Sequence, residues 1–502
     1  MNGRPTTRRA ALLALLCVPL ALLATGGCAR RPAKTLVVAY EDGAISLDPY
    51  LQDESVTMSL LANIYEGLVG FDPDMRIVPL VAEGYDNPGL LTWRFFLRPG
   101  VAFHSGRRLT AADVVYSLDR ARRLPSSVFR GMLSAITSVR ALDSMTVEVV
   151  TSRPQPIMIN ILAQVAVVPR GADPQQLPDG TGPYRYLRSL PDRGIELAAN
   201  ERYWGGRPAF PLVRFRSIPD GAERAAALLR GEIDLSASIG EQQRGAIARD
   251  RRFRLAIEPS MSVSILGLNI AGRGTPLADP RVRQAISLAL DRRAIIAATY
   301  GGYAMPANQL VHPTVFGFDP ALPALAPDSA RSVALLRAAG YGGGTDLQLD
   351  VASDLIDEAG PLVQQLRRVG IRLTVAAVPW NQLYRKIDQG RSAFYRMGVA
   401  CSFGDASEIL NDLHTARGDY GHRNASGYSD PELDRLIEQA DREFNTAQRQ
   451  RMLQRAMRLA MNDLPMIPLF LREDCYGVST ALDWRPRADG MILAKDIRPA
   501  KR

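Results

Sequence analysis

The sequence predicts a mixed α/β fold without a regular repeat, and three observations carry that expectation. Short β-branched, apolar runs bounded by turn residues alternate with segments whose apolar residues recur at helical spacing. No low-complexity linker divides the 502 residues, so the domains are expected to interleave instead of following one another end to end. The roughly 470 residues beyond the N-terminal segment are too many for one hydrophobic core, so two or three domains are expected.

The first residues address the chain to a compartment. Arg8 and Arg9 form a basic start, residues 10–24 an apolar run, and Thr25-Gly26-Gly27-Cys28 a small-residue end closing on cysteine. Basic, apolar, small is the order of a secretory signal, and the run is short for a membrane span, which needs about 20 residues. An end on cysteine in place of an Ala-x-Ala site resembles a bacterial lipobox. Residues 1–28 then read as a lipoprotein signal peptide with Cys28 as the lipidated residue. Thr7-Arg8-Arg9 with Leu12 also resembles a twin-arginine signal, without the expected Phe and Lys, so the Sec and twin-arginine routes both stay open. The destination is the periplasm or cell envelope, with the protein held to a membrane by its lipid.

The formal net charge of +9 falls to +6 once Arg4, Arg8 and Arg9 leave with the signal. The remaining arginines are scattered among acidic residues, a solvated surface and not the concentrated basic stripe that nucleic acid requires. Cys17 leaves with the signal and Cys28 takes lipid, so Cys401 and Cys475 remain. An oxidising compartment permits a disulfide between them; two buried free thiols are the alternative.

The elements follow in order. Residues 35–40 (TLVVAY) read as a buried strand, and Leu47-Asp48-Pro49 turns the chain. Residues 56–68 carry Leu60, Leu61, Ile64 and Leu68 at helical spacing. Residues 91–97 alternate like a strand and stop at Arg98-Pro99-Gly100. Thr110 with Asp113 three residues later opens a helix. Residues 142–151 read as a strand, Gly180-Thr181-Gly182-Pro183-Tyr184 as a loop leading into another, and residues 222–230 as a helix stopped by Gly231. Asp279-Pro280 starts a helix with proline at its first position. Leu433, Leu436, Ile437 and Ala440 stripe one late helix, and Met452, Leu453, Ala456, Leu459 and Ala460 another. Two strands, 466–471 and 475–479, close the series.

Chemistry of the usual enzymatic kinds finds no motif. There is no G-x-x-x-x-G-K-[ST] phosphate loop and no G-x-S-x-G nucleophile elbow. The run Gly340-Tyr341-Gly342-Gly343-Gly344 fails the dinucleotide pattern at Thr345 and reads as a helix end and loop. His104, His312, His414 and His422 lack zinc-helix spacing. No cofactor and no metal site is expected. A large exported chain without catalytic machinery points to ligand capture, so the chain is not expected to be an enzyme.

A series of blocks gives the capture a family. In order stand Ile64-Tyr65-Glu66-Gly67-Leu68, Val78-Pro79-Leu80-Val81-Ala82-Glu83, Leu91-Thr92-Trp93 to Arg98-Pro99-Gly100-Val101, Phe103-His104-Ser105-Gly106-Arg107 and Ala111-Ala112-Asp113-Val114. Thr181-Gly182-Pro183-Tyr184, Asn200-Glu201-Arg202-Tyr203-Trp204-Gly205-Gly206, residues 227–235 (ALLRGEIDL) and Asp279-Pro280-Arg281-Val282-Arg283-Gln284-Ala285 through Asp291-Arg292 follow. Gly427-Tyr428-Ser429-Asp430-Pro431-Glu432 and Leu464-Pro465-Met466-Ile467-Pro468-Leu469 complete the set. Over nearly all of residues 36–495 the chain resembles the extracellular solute-binding family 5, the oligopeptide-, dipeptide- and nickel-binding proteins of ABC importers.

The resemblance implies a periplasmic binding protein type II clamshell: two α/β lobes with an extra domain on the N-terminal lobe. Lobe 1 is expected over 29–63, 180–262 and 465–502, the extra domain over 64–179, and lobe 2 over 263–464. It implies a monomer that captures a peptide or peptide-like ligand and delivers it to ABC importer permease subunits. Peptide-binding relatives pair the ligand ammonium with an aspartate in a Trp-x-x-Asp-x-x-Asp/Glu segment. Here that segment is residues 399–405, with Ser402 at the amine-pairing position, Val399 in place of the tryptophan and Asp405 at the later acid. A buried ammonium needs a paired charge, which a serine hydroxyl does not supply. Asp405 is the candidate substitute; otherwise the ligand lacks a free amine, as a blocked or cyclic peptide, a glycopeptide, an oligosaccharide, an opine or a metal chelate would. The resemblance also nominates Trp380 as a cleft aromatic, Phe129 as the contact from the extra domain, and Asp53 and Ser55 as the loop that meets a peptide backbone. A scaffold that has lost transport is the remaining reading.

Overall fold

Thr35–Tyr40 sets the frame. All six of its residues are buried, because it pairs parallel with Leu212–Ser217 on one edge and Leu235–Ser236 on the other. The computed structural model describes residues 35–501, apart from 273 and 419. The signal segment and Cys28 lie outside the described residues. Among the described residues no helix is long and apolar enough to cross a membrane.

Eleven strands among the described residues form one mixed sheet. Its order runs Ile371–Val378, Thr345–Ala352, Phe394–Ala400, Phe253–Leu268, Met466–Ser479, Leu235–Ser236, Thr35–Tyr40, Leu212–Ser217, Ile195–Ala199 and Tyr184–Ser189, with Ala304–Pro306 paired to Met466–Ser479. Two of these, Phe253–Leu268 and Met466–Ser479, belong to both halves of the sheet. They pair antiparallel from Phe253 opposite Ser479 to Gly267 opposite Met466, and the register breaks between Pro259 and Val263. Proline has no N–H to give to a ladder, so a break beside Pro259 has a local cause. The second half buries Leu266, Leu349, Leu366, Phe394 and Ile467 in one core, and Leu410, Leu433, Leu453 and Leu471 in another.

A separate antiparallel sheet of four strands, Ala82–Gly89, Thr92–Leu97, Thr146–Thr151 and Ile136–Ala141, stands on the first half. Its Trp93, Phe95 and Val147 share a core with Leu36, Tyr50, Ile64 and Phe215. The helix Ala111–Arg123 covers it and starts as its sequence predicts: the Asp113 carboxylate accepts from the Thr110 amide (3.0 Å) and hydroxyl (2.9 Å). Helices also form where expected at Gly221–Leu229, Pro280–Ala289, Pro431–Ala440 and Thr446–Asp463.

Three expectations are corrected. The helix expected over 56–68 ends early, as Ser55–Leu61. Beyond it the backbone carbonyls go to neighbours in space: Asn63 accepts from the Tyr184 amide (3.0 Å), Ile64 from Gly182 (2.9 Å) and Glu66 from Val167 (2.8 Å). The strands expected over 466–471 and 475–479 are one strand, Met466–Ser479, and Ile467, Leu469 and Phe470 pack in the second half. The pairing of this strand shifts register between Leu471 and Glu473, opposite Val263 and Pro259. Cys401 and Cys475 are buried free thiols, not a disulfide. Cys475 faces Ile257 across one edge of Phe253–Leu268, while Cys401 follows Ala400, which faces Ser262 across the other edge. The antiparallel register puts Cys401 level with Met261, so the separation is roughly 13 Å along the strand, and a disulfide holds its Cα atoms within about 7 Å.

Candidate functional site

Where the two halves and the extra sheet meet, a cavity of about 260 Å³ opens. Gln52, Met58 and Tyr65 wall it from around the helix Ser55–Leu61, Phe129 and Gln164 from the extra domain, Asp489 and Met491 from the C-terminal segment, and Ser402 from the second half. The loop carrying Ser402 is held from across the junction. Gln164 Nε2 donates to the Ser402 carbonyl (2.7 Å), and Asn160 Nδ2 to the Phe403 carbonyl (2.7 Å).

Glu66 shows how the scattered sequence blocks converge. Its carboxylate lines the cavity and accepts from Thr181 Oγ1 (2.9 Å), Tyr203 Oη (2.6 Å) and Trp204 Nε1 (3.0 Å). Burial pushes its carboxyl up from the ordinary range, against the pull of those three donors. Gly182 sits so close to this segment that a Cβ there would run into the Ile64 carbonyl at 2.6 Å. His104 Nε2 meets the Gly182 carbonyl at 3.0 Å. The blocks around Glu66, His104, Thr181 and Tyr203 thus build one wall. The arginines of the later block act similarly on backbone: Arg283 donates to Leu277 and Ala278 carbonyls (3.0 Å each), and Arg292 to Pro468 (2.9 Å).

The structure brings Ser402 and Phe129 together in this cavity. Ser402 is exposed; Phe129 is buried, with its ring edge-on to Tyr50 at 6.4 Å. Asp53 and Ser55 are exposed beside Gln52 and do not line the cavity. Trp380 begins the helix Trp380–Asp388, is 49% exposed and lies outside the cavity lining, with Tyr384 exposed one turn on. It is therefore not a core residue of its lobe.

Asp405 takes a different part from the one expected. Its carboxylate is buried, pairs with both terminal nitrogens of Arg449 (one at 3.0 Å), and accepts from the Ser407 amide (3.0 Å). With its charge matched inside the protein, it is not free to replace the missing amine-pairing aspartate. Residues that the sequence did not single out as ligand-facing, Gln52, Tyr65, Gln164 and Met491, line the cavity. They lie outside the family's amine-pairing segment, and although Tyr65 stands in a family block, nothing in the local sequence marks any of the four as ligand-facing.

A sheet shared by two halves, two strands crossing between them, an appended four-stranded domain and a cavity at the junction define a two-lobed solute receptor. The family model of bacterial extracellular solute-binding proteins, family 5 Middle, matches residues 76–421. The chain belongs to this family, the solute-binding proteins of ABC importers. The glutathione-binding protein GsiB of Pectobacterium atrosepticum is 29% identical over 456 residues, covering 87% of this chain and 88% of the relative. HbpA2 from Haemophilus parasuis superposes with a TM-score of 0.86 at 23% identity, covering 93% of this chain and 100% of that one. The periplasmic murein tripeptide binding protein MppA, in its unliganded open form, gives 0.84 at 21% identity, covering 93% and 98%. The fold is the type II periplasmic binding protein clamshell.

Proposed function

We propose that the chain captures a peptide or peptide-like solute at the junction cavity and, by closing its lobes, presents it to the permease subunits of an ABC importer. The observation that carries this is the cavity's double wall: Ser402 from the second half shares it with Gln52 and Phe129 from the first half and its extra domain. A solute touching both walls favours the arrangement in which both are near, so binding shifts the population toward the closed form. The names of the relatives, glutathione-binding and murein tripeptide binding, support a short peptide-like ligand.

In this reading lobe 1 takes 35–63, 180–262 and the chain from about 472, the extra domain 64–179, and lobe 2 the rest. Ser402 and Phe129 meet the solute; closure brings Trp380 and the loop at Asp53 and Ser55 to it. The receptor works as a monomer in the periplasm, exported and tethered through lipid on Cys28, with binding and not catalysis as its task. Ser402 in the amine-pairing position, with Asp405 committed to Arg449, favours a second reading: a ligand without a free α-amine, either a blocked peptide or a non-peptide solute.

Thermal shift separates the two, because a ligand bound by the native state alone stabilises it. Glutathione, short peptides and their N-acetylated forms are expected to raise Tm, the acetylated forms as much as the free ones. A shift from sugars or chelates with none from any peptide would overturn the peptide reading. Cys28→Ala is expected to move the protein from the membrane to the soluble fraction; persistent membrane association would refute the anchor.

A further inference from the structure

The two halves also touch on the face of the first-half sheet that the cavity does not use. In the strand Met466–Ser479, Tyr476 packs with Leu61, Tyr65 and Phe129, which line the cavity, while its neighbour Cys475 packs on the other face with Ile239 and Ile247. The helix Glu241–Arg249 covers that other face. It is tied to the crossing strand at its start, where the Ile239 amide donates to the Cys475 carbonyl (2.8 Å). Beside it, Ala304–Pro306 of the second half pairs with the same strand, Ala304 opposite Arg472. Between these two anchors lies Glu473, opposite Pro259 at the register break.

Arg244 bridges the break. Its guanidinium carbon stands 3.8 Å from the ring centroid of Tyr303, the residue before Ala304. Its charge also draws down the Glu473 carboxyl, which burial raises. One turn earlier on the helix, the Glu241 carboxylate presses on the second half: a Cβ on Gly301 would run into Glu241 Oε1. Gly301 ends the helix Arg292–Tyr300 at φ 59°, so this carboxylate meets the negative end of a helix, an unfavourable neighbour. Arg244 Nη1 is buried without an acceptor. A repulsive neighbour and an orphaned N–H keep the contact weak enough to yield. Neither Arg244 nor Tyr303 lines the cavity.

Contacts on the cavity face join the same two halves. Gln164 and Asn160 hold the loop at Ser402 and Phe403, and the Trp93 ring lies 5.8 Å from that of Phe444. A bend about the break that draws the halves together on the cavity face must part them on the opposite one. We infer that the Arg244–Tyr303 contact is a counter-clamp that opposes closure, so that Arg244 sets the affinity of the receptor as a positioning residue without touching its solute. A bound solute must supply the free energy of parting it, and the apparent affinity scales with the fraction of molecules already closed. The inference rests on the reading of the chain as a receptor that closes on its solute.

Calorimetric titration of the full mature chain with glutathione and with tri-alanine tests it. Arg244→Met and Tyr303→Leu each remove the contact and keep most of the bulk. Either is expected to lower both Kd values by one common factor, between about twofold and thirtyfold, the range that loss of one cation–π contact allows. Residues that share one contact are not additive, so the double variant should bind no more tightly than the single ones, and Arg244→Lys or Tyr303→Phe should restore the parental value. Merely structural damage would weaken binding instead. Unchanged or weaker binding in both single variants, additive gains in the double variant, or factors that differ between the two solutes overturn the counter-clamp and leave the receptor reading standing. Where the parent protein binds neither solute, the peptide reading fails and the clamp is judged without solute: Arg244→Met should lower the radius of gyration in small-angle X-ray scattering, and an unchanged radius overturns the clamp as well.

Discussion

The Asp405–Arg449 pair lies deep in the second half, its side chains 3% and 6% exposed. Two charges removed from water so completely are tolerable only together, because either one alone bears its full desolvation cost. Asp405→Ala leaves the Arg449 guanidinium buried without its counter-charge, and a loss of about 3–5 kcal/mol is expected, read from urea denaturation midpoints. A change below about 1 kcal/mol would show that Arg449 finds another partner. The pair also explains which part of the site was legible. An acid at position 405 could be read from the local segment, and so could the unusual Ser402. Arg449 could not be paired with Asp405 from the sequence, because it lies on the distant helix Thr446–Asp463 while Asp405 sits in a loop, and nothing in its own neighbourhood distinguishes it. The thiols follow the same logic. Cys401 and Cys475 could be counted in advance, but their separation on opposite edges of one strand is a property of sheet order.

The short helix Ser407–Asn411 carries a pH response into the loop beside the cavity. Burial pushes Glu408 up to about 7, helped by nearby Asp412 and opposed by the Phe403 amide (3.2 Å) and Arg423. Burial pushes Asp412 to about 6 as well. A carboxyl whose folded value is raised holds its proton in the native state at pH values where the unfolded chain has lost it. Its contribution is therefore present at low pH and falls as pH rises from about 4.5 through 7. His312, which burial pushes down to about 4, acts with the opposite sign between 4 and 6.5, so the wild-type profile alone does not isolate Glu408. Glu408→Gln does: at pH 5 the variant is expected to match wild type, and at pH 8 to exceed it by on the order of 2 kcal/mol. An equal difference at both pH values, in denaturant titrations, would show that Glu408 does not titrate in this window. At the scale of elements, capped helices such as Ala111–Arg123 and Pro280–Ala289 were legible because their start signals are local. The second-half strands Thr345–Ala352 and Phe394–Ala400 have no capping motif to announce them, only the glycine run before Thr345, and the single strand Met466–Ser479 read as two because Arg472-Glu473-Asp474 interrupts its apolar run at the crossing.

For the whole molecule, connectivity decides how closure works. The two strands that cross between halves keep their pairing on both sides of the break at Pro259–Val263, so the sheet can twist there without surrendering either core. The lobes themselves were legible only through the family blocks. Nothing in the local pattern marks the hinge as one: Arg472-Glu473-Asp474 breaks the apolar run there, as a turn between two separate strands would. Closure about this hinge carries the second half toward the first and shrinks the cleft. Trp380, 49% exposed, should then lose contact with water. Saturation with a peptide that raises Tm is expected to lower the radius of gyration in small-angle X-ray scattering and to reduce acrylamide quenching of indole fluorescence. The quenching difference should vanish in Trp380→Phe while the scattering change persists. At a hundredfold excess over Kd the accompanying stabilisation is about 2.7 kcal/mol, so the same sample can be checked for saturation by its melting curve. A stabilised complex with an unchanged radius would mean that the ligand binds without moving the lobes, and the hinge assigned to Pro259–Val263 would have to be abandoned.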